Sequence, residues 1–250
     1  MSLYEKFKQE CASEIAIQGI DPALAKISRD WMDLANPKKY SYHFEWLGRP
    51  IIQYPQDMVA LQEIVWKVQP DLIIETGIAH GGSLVFSASL LELNAACGGP
   101  QDARVLGIDI DIRSHNREAI KRHPLSRRID MIQGSAIDEV VMSKVRTMAK
   151  GHKRILVILD SNHTHAHVAK ELELYSPLVG KGSYLIVFDT VIEDMPADSF
   201  PDRPWGKGDN PKTAVLEFLK NDSRFRIDRS VQDKLLLTVA PDGYLECIAD

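Results

Sequence analysis

From Asp71 onward the chain repeats one pattern: a short apolar run, a segment of helix length, then another run. The runs are DLIIE (71–75), RVLGID (104–109), RIDMIQ (128–133), RILVILD (154–160) and SYLIVFD (183–189). Near-continuous stretches of β-branched residues and Leu are how strands covered on both faces read. The intervening segments, at about 83–95, 115–122, 136–149 and 164–176, predict helices. Strand and helix in alternation at this spacing predict a parallel, doubly wound α/β sheet of the Rossmann-like type.

The two ends depart from that pattern. Helical patterns run over about 3–18 and 22–34, followed by the aromatic, Pro-punctuated stretch NPKKYSYHFEWLGRPIIQYPQD. A helix from Met58 to Val68 follows, with Asp57 as its expected N-cap. Residues 1–70 therefore read as a helical extension with a cover segment, and residues 71–250 as the ligand-binding domain. Beyond a helix at 211–221, KLLLTVA predicts a strand at 234–240, then the turn Pro241-Asp242-Gly243 and a short return. That pair predicts an antiparallel addition to the parallel sheet.

A formal charge of −5 argues against a nucleic-acid or membrane-surface partner, which would want a basic face. The densest basic cluster, Lys121, Arg122, Arg127 and Arg128, reads as a solvated face. Cys11, Cys97 and Cys247 lack metal-ligand spacing and suit a reduced compartment. The start, MSLYEKFKQE, has no apolar core of a secretory leader, and no apolar run approaches the ~20 residues of a membrane span. The expected location is cytoplasmic.

Open α/β sheets bind ligands outside the carboxyl ends of their strands, so the residues at those ends are the first candidates for a site. The first run ends in Glu75-Thr-Gly77-Ile-Ala-His-Gly81-Gly82-Ser83 and leads into a helix. Its glycines allow a tight turn and close backbone approach, and the free N–H groups of a helix start favour an anionic group. The spacing is not G-x-G-x-x-G, so no dinucleotide pyrophosphate cradle is present. It is similar to the first motif of methyltransferases that use S-adenosylmethionine (SAM), a ligand without phosphates. The second run ends in Asp109, whose two carboxylate oxygens can accept both ribose hydroxyls. Asp111 is placed to cap the next helix. The third ends in Gly134-Ser135, where Ser135 can cap the next helix or touch an adenine ring.

The fourth and fifth runs end in Asp160-Ser-Asn-His163 and Phe188-Asp189-Thr. As neighbours in the sheet, Asp160 and Asp189 can share a hard cation such as Mg²⁺, or each can cap the following segment. A shared cation would hold and acidify an acceptor hydroxyl, and His163 can take its proton. His163, His165 and His167 alternate, but without H-E-x-x-H or a third ligand they make a poor zinc site, and His165 reads as the exposed first turn of a helix.

The blocks WLGRPIIQYPQD, PDLIIETGIAHGGSL, GIDIDIRSHN, IQGSAID, LVILDSNHTHAHV and LYSPLVGKGSYLIVFDT resemble the cephalosporin hydroxylase family, which takes in rhamnosyl O-methyltransferases. The resemblance spans roughly residues 45–245. It implies a seven-stranded, mostly parallel SAM-methyltransferase sheet with an antiparallel C-terminal strand, binding of SAM, and Mg²⁺-assisted O-methylation of a sugar or other small molecule by a homo-oligomer. It assigns Glu75, Gly77, Gly81, Ser83, Asp109, Gly134, Ser135 and Asp160 to SAM, Asp160 and Asp189 to the metal, and His163 with Asp160 to catalysis. His163 stands where catechol-type O-methyltransferases carry a basic lysine. Phe188 stands where many members carry a glutamate, and Glu193 and Asp194 replace that ligand if their loop folds back. The segment DRPWGKGDNPKTAVLEFL also departs from the family, and with the N-terminal aromatic stretch it is expected to cover the acceptor.

Two other functions stay open on sequence alone. An acid after the second strand permits an oxidoreductase, and Phe188 permits a non-catalytic partner that keeps the fold.

Overall fold

The computed structural model describes all 250 residues. Its centre is a seven-stranded sheet built from β3 (Leu72–Thr76), β4 (Arg104–Asp109), β5 (Ile129–Gln133), β6 (Ile155–Leu159), β7 (Tyr184–Val187), β8 (Phe225–Ile227) and β9 (Tyr244–Cys247), in the order β5-β4-β3-β6-β7-β9-β8. Neighbours from β5 through β7 are parallel, while β9 runs antiparallel to both β7 and β8. From β3 the chain first winds outward through β4 and β5, then returns to β3's other edge with β6. The crevice outside the ends of β3 and β6 is therefore the topological switch point, where such sheets hold ligands.

Alternation along the strands divides the core in two. Ile73, Val105, Leu156, Ile158, Tyr184 and Ile186 face α3 (Pro55–Val68) and α4 (Gly82–Ala96). Leu72, Ile74, Leu106, Val157, Leu185 and Val187 face α6 (Glu139–Ala149), α7 (His165–Tyr175) and α8 (Pro211–Asn221). Both faces being dry is why the runs read as continuous apolar stretches. The remaining elements lie at the edges: α1 (Leu3–Gly19), α2 (Pro22–Ala35), the hairpin β1 (Phe44–Trp46) and β2 (Arg49–Ile51), α5 (Ser114–Arg122) and α9 (Arg229–Leu235). No helix is long and apolar enough to cross a membrane.

Several expectations need correcting. The strand expected at 234–240 does not form. Asp228 caps a helix, α9, through Ser230 N, and Leu236 ends it in a left-handed backbone (φ 62°). Asp57 then captures the next residues, accepting from Thr238 Oγ1 and, at 3.0 Å, from Val239 N. The strand is instead the short return, β9, reached through the expected turn, with Gly243 N donating to Ala240 O at 2.9 Å. Asp57 consequently is not the N-cap of α3. That position is Tyr54, and the Asp57 carboxylate sits 1% exposed in the core, also accepting from Tyr244 Oη at 2.6 Å. Asp111 is exposed and caps nothing: the residue before α5 is Arg113, which makes no side-chain cap. The basic cluster is not wholly solvated either. Arg128 is buried, paired with Glu92 at 2.6 Å and donating to the carbonyls of Gln101 and Ala103.

Candidate active site

Register fixes the floor of the site. Thr76 pairs with both Ile108 and Leu159, and Leu159 pairs with Val187. The next residue on each strand, Gly77, Asp109, Asp160 and Phe188, therefore stands at one level at the carboxyl edge of the sheet. Above this level lies a cavity of about 340 Å³, lined there by Gly77, Ser83, Asp109, Asp160, His163 and Asp189. That volume falls in the usual small-molecule range of about 300–1,000 Å³.

The loop after β3 works by omission. Gly77 has φ +90°, and a Cβ on it would collide with the Asp160 carbonyl oxygen. Gly81 takes the left-handed N-cap position of α4, but the room its missing Cβ leaves is filled by Ile120, so it serves packing and does not line the cavity. No side chain caps α4, which leaves its first N–H groups for an anionic ligand group. Glu75 points beneath the cavity, 2% exposed, and accepts from Ser83 Oγ and, at 3.4 Å, from Ser87 Oγ. Burial pushes its carboxyl up to about 7 against those two stabilising donors.

Asp109 is held by backbone N–H groups, from Ile78 at 2.8 Å, Ala79 at 3.3 Å and Asp111 at 2.9 Å. Gly134 and Ser135 stand one strand further out. Gly134 N donates to Asp109 O at 2.9 Å, yet neither residue lines the cavity, and Asp138 rather than Ser135 caps α6.

At the other side of the floor, Asp160, His163 and Asp189 offer three ligand atoms within 4.8 Å of one another. His163 Nε2 lies 3.1 Å from Asp189 Oδ2, and its ring meets Trp205 edge-on at 4.8 Å. Asp189 holds a left-handed backbone (φ 56°), an uncommon state for a residue with a Cβ, and its side chain caps nothing. Asp160 does not cap α7 either, whose N-cap is Thr164. The Asp160 carboxyl is pushed well above the usual carboxylate range by burial first, then by the charges of Asp189, Glu75 and Glu171. Two carboxylates crowded beside an imidazole, one of them raised by burial and then by its neighbours, suit a divalent cation that would relieve the repulsion.

The histidines part company. His163 precedes α7, while His167 faces Ser161 Oγ at 3.2 Å, so the two share no helical face and no metal. His165 opens α7, its N–H donating to Asp209 Oδ1 at 2.6 Å. Phe188 is 4% exposed and packs in the core, and neither acid of the following loop takes its place. Glu193 Oε2 accepts from Gly208 N at 2.8 Å and Asn210 Nδ2 at 2.5 Å, and Asp194 pairs with Lys212 at 2.8 Å.

Much of the remaining wall comes from, or next to, the two segments expected to cover the site, and Val191, Ile192, Met195 and Val239 complete it. Lys39, Tyr42 and Gln53 line it from the N-terminal stretch, and Phe200, Arg203 and Trp205 from the loop before α8. None of these six was singled out from the sequence. Gln53 had a signal only in its motif block: it is 7% exposed, its Nε2 reaches Asp160 Oδ2 at 3.5 Å, and its Oε1 has no partner.

Comparison with known proteins identifies the family and the fold. Residues 38–248 match the family model described as Rhamnosyl O-methyltransferase/CmcI. Rhamnosyl O-methyltransferases of Mycobacterium bovis BCG and Mycobacterium tuberculosis H37Rv are each 30% identical over 193 residues, 76% of this chain and 72% of theirs. Among solved structures, a CmcI described with Mg and SAM superposes with a TM-score of 0.58 at 19% identity, covering 83% of this chain and 78% of that one. The O-methyltransferase TomG from Streptomyces achromogenes, in complex with SAM, gives 0.55 at 16% identity over 92% and 91%. The shared fold, and a family match covering most of the chain, place this protein in the Rhamnosyl O-methyltransferase/CmcI family.

Proposed function

We propose that this chain transfers the methyl group of SAM to a hydroxyl of a sugar or other small molecule, with Mg²⁺ at the acidic end of the cavity. One observation carries the reading. Residues from four separate strand ends, Gly77, Asp109, Asp160 and Asp189, line a single cavity at the topological switch point.

In this reading Asp109 accepts the ribose hydroxyls, and the uncapped start of α4 with Ser83 receives the carboxylate of the methionyl part. Gly77, and with it the backbone of Gly81, lets the loop close on the ligand, Glu75 braces that loop from below, and Gly134, next to Ser135, steadies Asp109 from the neighbouring strand through its N–H. Asp160 and Asp189 hold the cation, which when bound lowers the pKa of an oxygen ligand. Asp189 accepts the Nε2 proton of His163, which leaves Nδ1 as the basic nitrogen. His163 takes the acceptor's hydroxyl proton as that oxygen's lone pair forms the new O–CH₃ bond. The S–CH₃ bond breaks with its electron pair staying on sulfur, so a neutral thioether leaves. Residues 71–250 bind cofactor and metal, and residues 1–70 supply cover. The protein acts on a dissolved small molecule in the cytoplasm, as a homo-oligomer.

Isothermal titration with SAM in the presence of Mg²⁺ tests this. Saturable binding at one site per chain is expected, weakened at least tenfold by Asp109→Ala. Absence of binding at millimolar SAM would overturn it.

A further inference from the structure

The cavity is charged at both ends, with opposite signs. Its floor carries Asp109, Asp160 and Asp189. Apart from histidines, the only cationic residues lining it are Lys39 and Arg203, one from each covering segment. Sixteen of the chain's 30 lysines and arginines pair with a carboxylate within 4.0 Å; Lys39 and Arg203 are the two unpaired ones that line the cavity.

Both cations are held by aromatic rings instead. The Arg203 guanidinium lies over Trp205, 5.2 Å from the ring centre, and Trp205 meets His163 edge-on. Arg203 is thus one ring removed from the residue assigned as base. Lys39 Nζ stands 6.0 Å over Tyr42, and Lys39 itself adopts a left-handed backbone (φ 56°) between two short 3₁₀ turns. An aromatic face orients a cation without neutralising it, so both charges remain available to a ligand. SAM offers them little: in the reading above its carboxylate lies at the start of α4. Both charges are therefore free for the acceptor's side of the cavity.

We infer that the acceptor is an anionic hydroxyl compound, bearing a carboxylate or phosphate remote from the hydroxyl that is methylated. The hydroxyl enters the acidic floor beside His163, and the anion is received by Arg203 and Lys39 at the rim. A guanidinium can grip either anion with two parallel hydrogen bonds, and the ammonium adds a point charge. In the reading above the floor carboxylates are already occupied by the cation and the ribose, so the rim cations are the unmatched charges and favour one orientation of the acceptor over its reverse. This inference rests on the methyl-transfer reading.

The test is a panel of matched acceptors at fixed SAM and Mg²⁺, read as formation of S-adenosylhomocysteine. Glucose and rhamnose are set against glucuronate, glucose 6-phosphate and rhamnose 1-phosphate, and catechol against protocatechuate. The anionic members should exceed their neutral partners in kcat/KM by about tenfold or more. Arg203→Gln and Lys39→Gln should each remove most of that advantage through KM, leaving kcat and SAM affinity near wild type. A carboxylate preference over phosphate, or the reverse, identifies the anion. Equal or better turnover of the neutral members would overturn the inference, as would discrimination that survives both substitutions. Silence across the panel with SAM binding intact also counts against it, because both kinds of anion are represented. Loss of SAM binding itself would instead defeat the underlying reading.

Discussion

The floor and the cover of this cavity are built by different means. Floor residues are set by the backbone: strand register delivers Gly77, Asp109 and Asp160 to one level, and N–H groups pin the Asp109 carboxylate. Cover residues come from the segments around 36–54 and 196–210, and apart from the buried Gln53 they are partly or fully exposed. A site organised this way keeps its cofactor geometry rigid while its acceptor wall can change with little cost to the fold. Changes in the floor should therefore be severe and act on the chemistry, and changes in the cover mild and act on acceptor binding.

The largest effect is expected at Asp160. Asp160→Asn should lower turnover by roughly a thousandfold or more and abolish Mn²⁺ binding followed by electron paramagnetic resonance. Turnover near wild type would break the contrast at its strongest point. His163→Ala should cost about 10²–10⁴ in kcat while Mn²⁺ binding persists. Loss of the metal signal in this variant would recast His163 as a ligand.

Glu75 probes the floor through stability. Its carboxyl rises from 4.5 in the unfolded chain to about 7 when buried, so the folded state binds the proton more tightly. The stabilisation is full below pH 4.5 and is lost as pH rises through 7. Unliganded protein should lose on the order of 3 kcal/mol as pH rises through that window from this group, and Glu75→Gln should flatten the profile in denaturant titrations. An unchanged profile would show that Glu75 is not the group responsible.

The smallest effect is expected in the cover. Glu193→Ala releases Gly208 N and Asn210 Nδ2, which anchor the loop carrying Arg203 and Trp205. It should raise the acceptor KM by about tenfold, with SAM affinity and kcat near wild type. A fall in kcat without a change in KM would erase the distinction between the two regions.

The same distinction explains what could be read in the sequence. Parallel strands covered on both faces must be apolar throughout, and their ends must hold the ligand, so the sheet and Asp109, Asp160, His163 and Asp189 were legible from local pattern. The six cover residues were not, because they meet only when segments some 150 residues apart fold over the same floor. KLLLTVA failed for a related reason. Its local preference is for strand, but a distant carboxylate, Asp57, accepts the Val239 N–H that a sheet neighbour would otherwise take and binds the Thr238 hydroxyl as well. Asp57 was itself misread as a cap, since nothing within its own segment reveals partners at 238, 239 and 244.

Crystals holding S-adenosylhomocysteine and soaked in Mn²⁺ put the assembled site to direct trial. The account predicts an anomalous peak within coordinating distance of Asp160 and Asp189, and a nucleoside whose ribose contacts Asp109 beside Gly77. A nucleoside bound elsewhere, or a peak away from those two carboxylates, would contradict it.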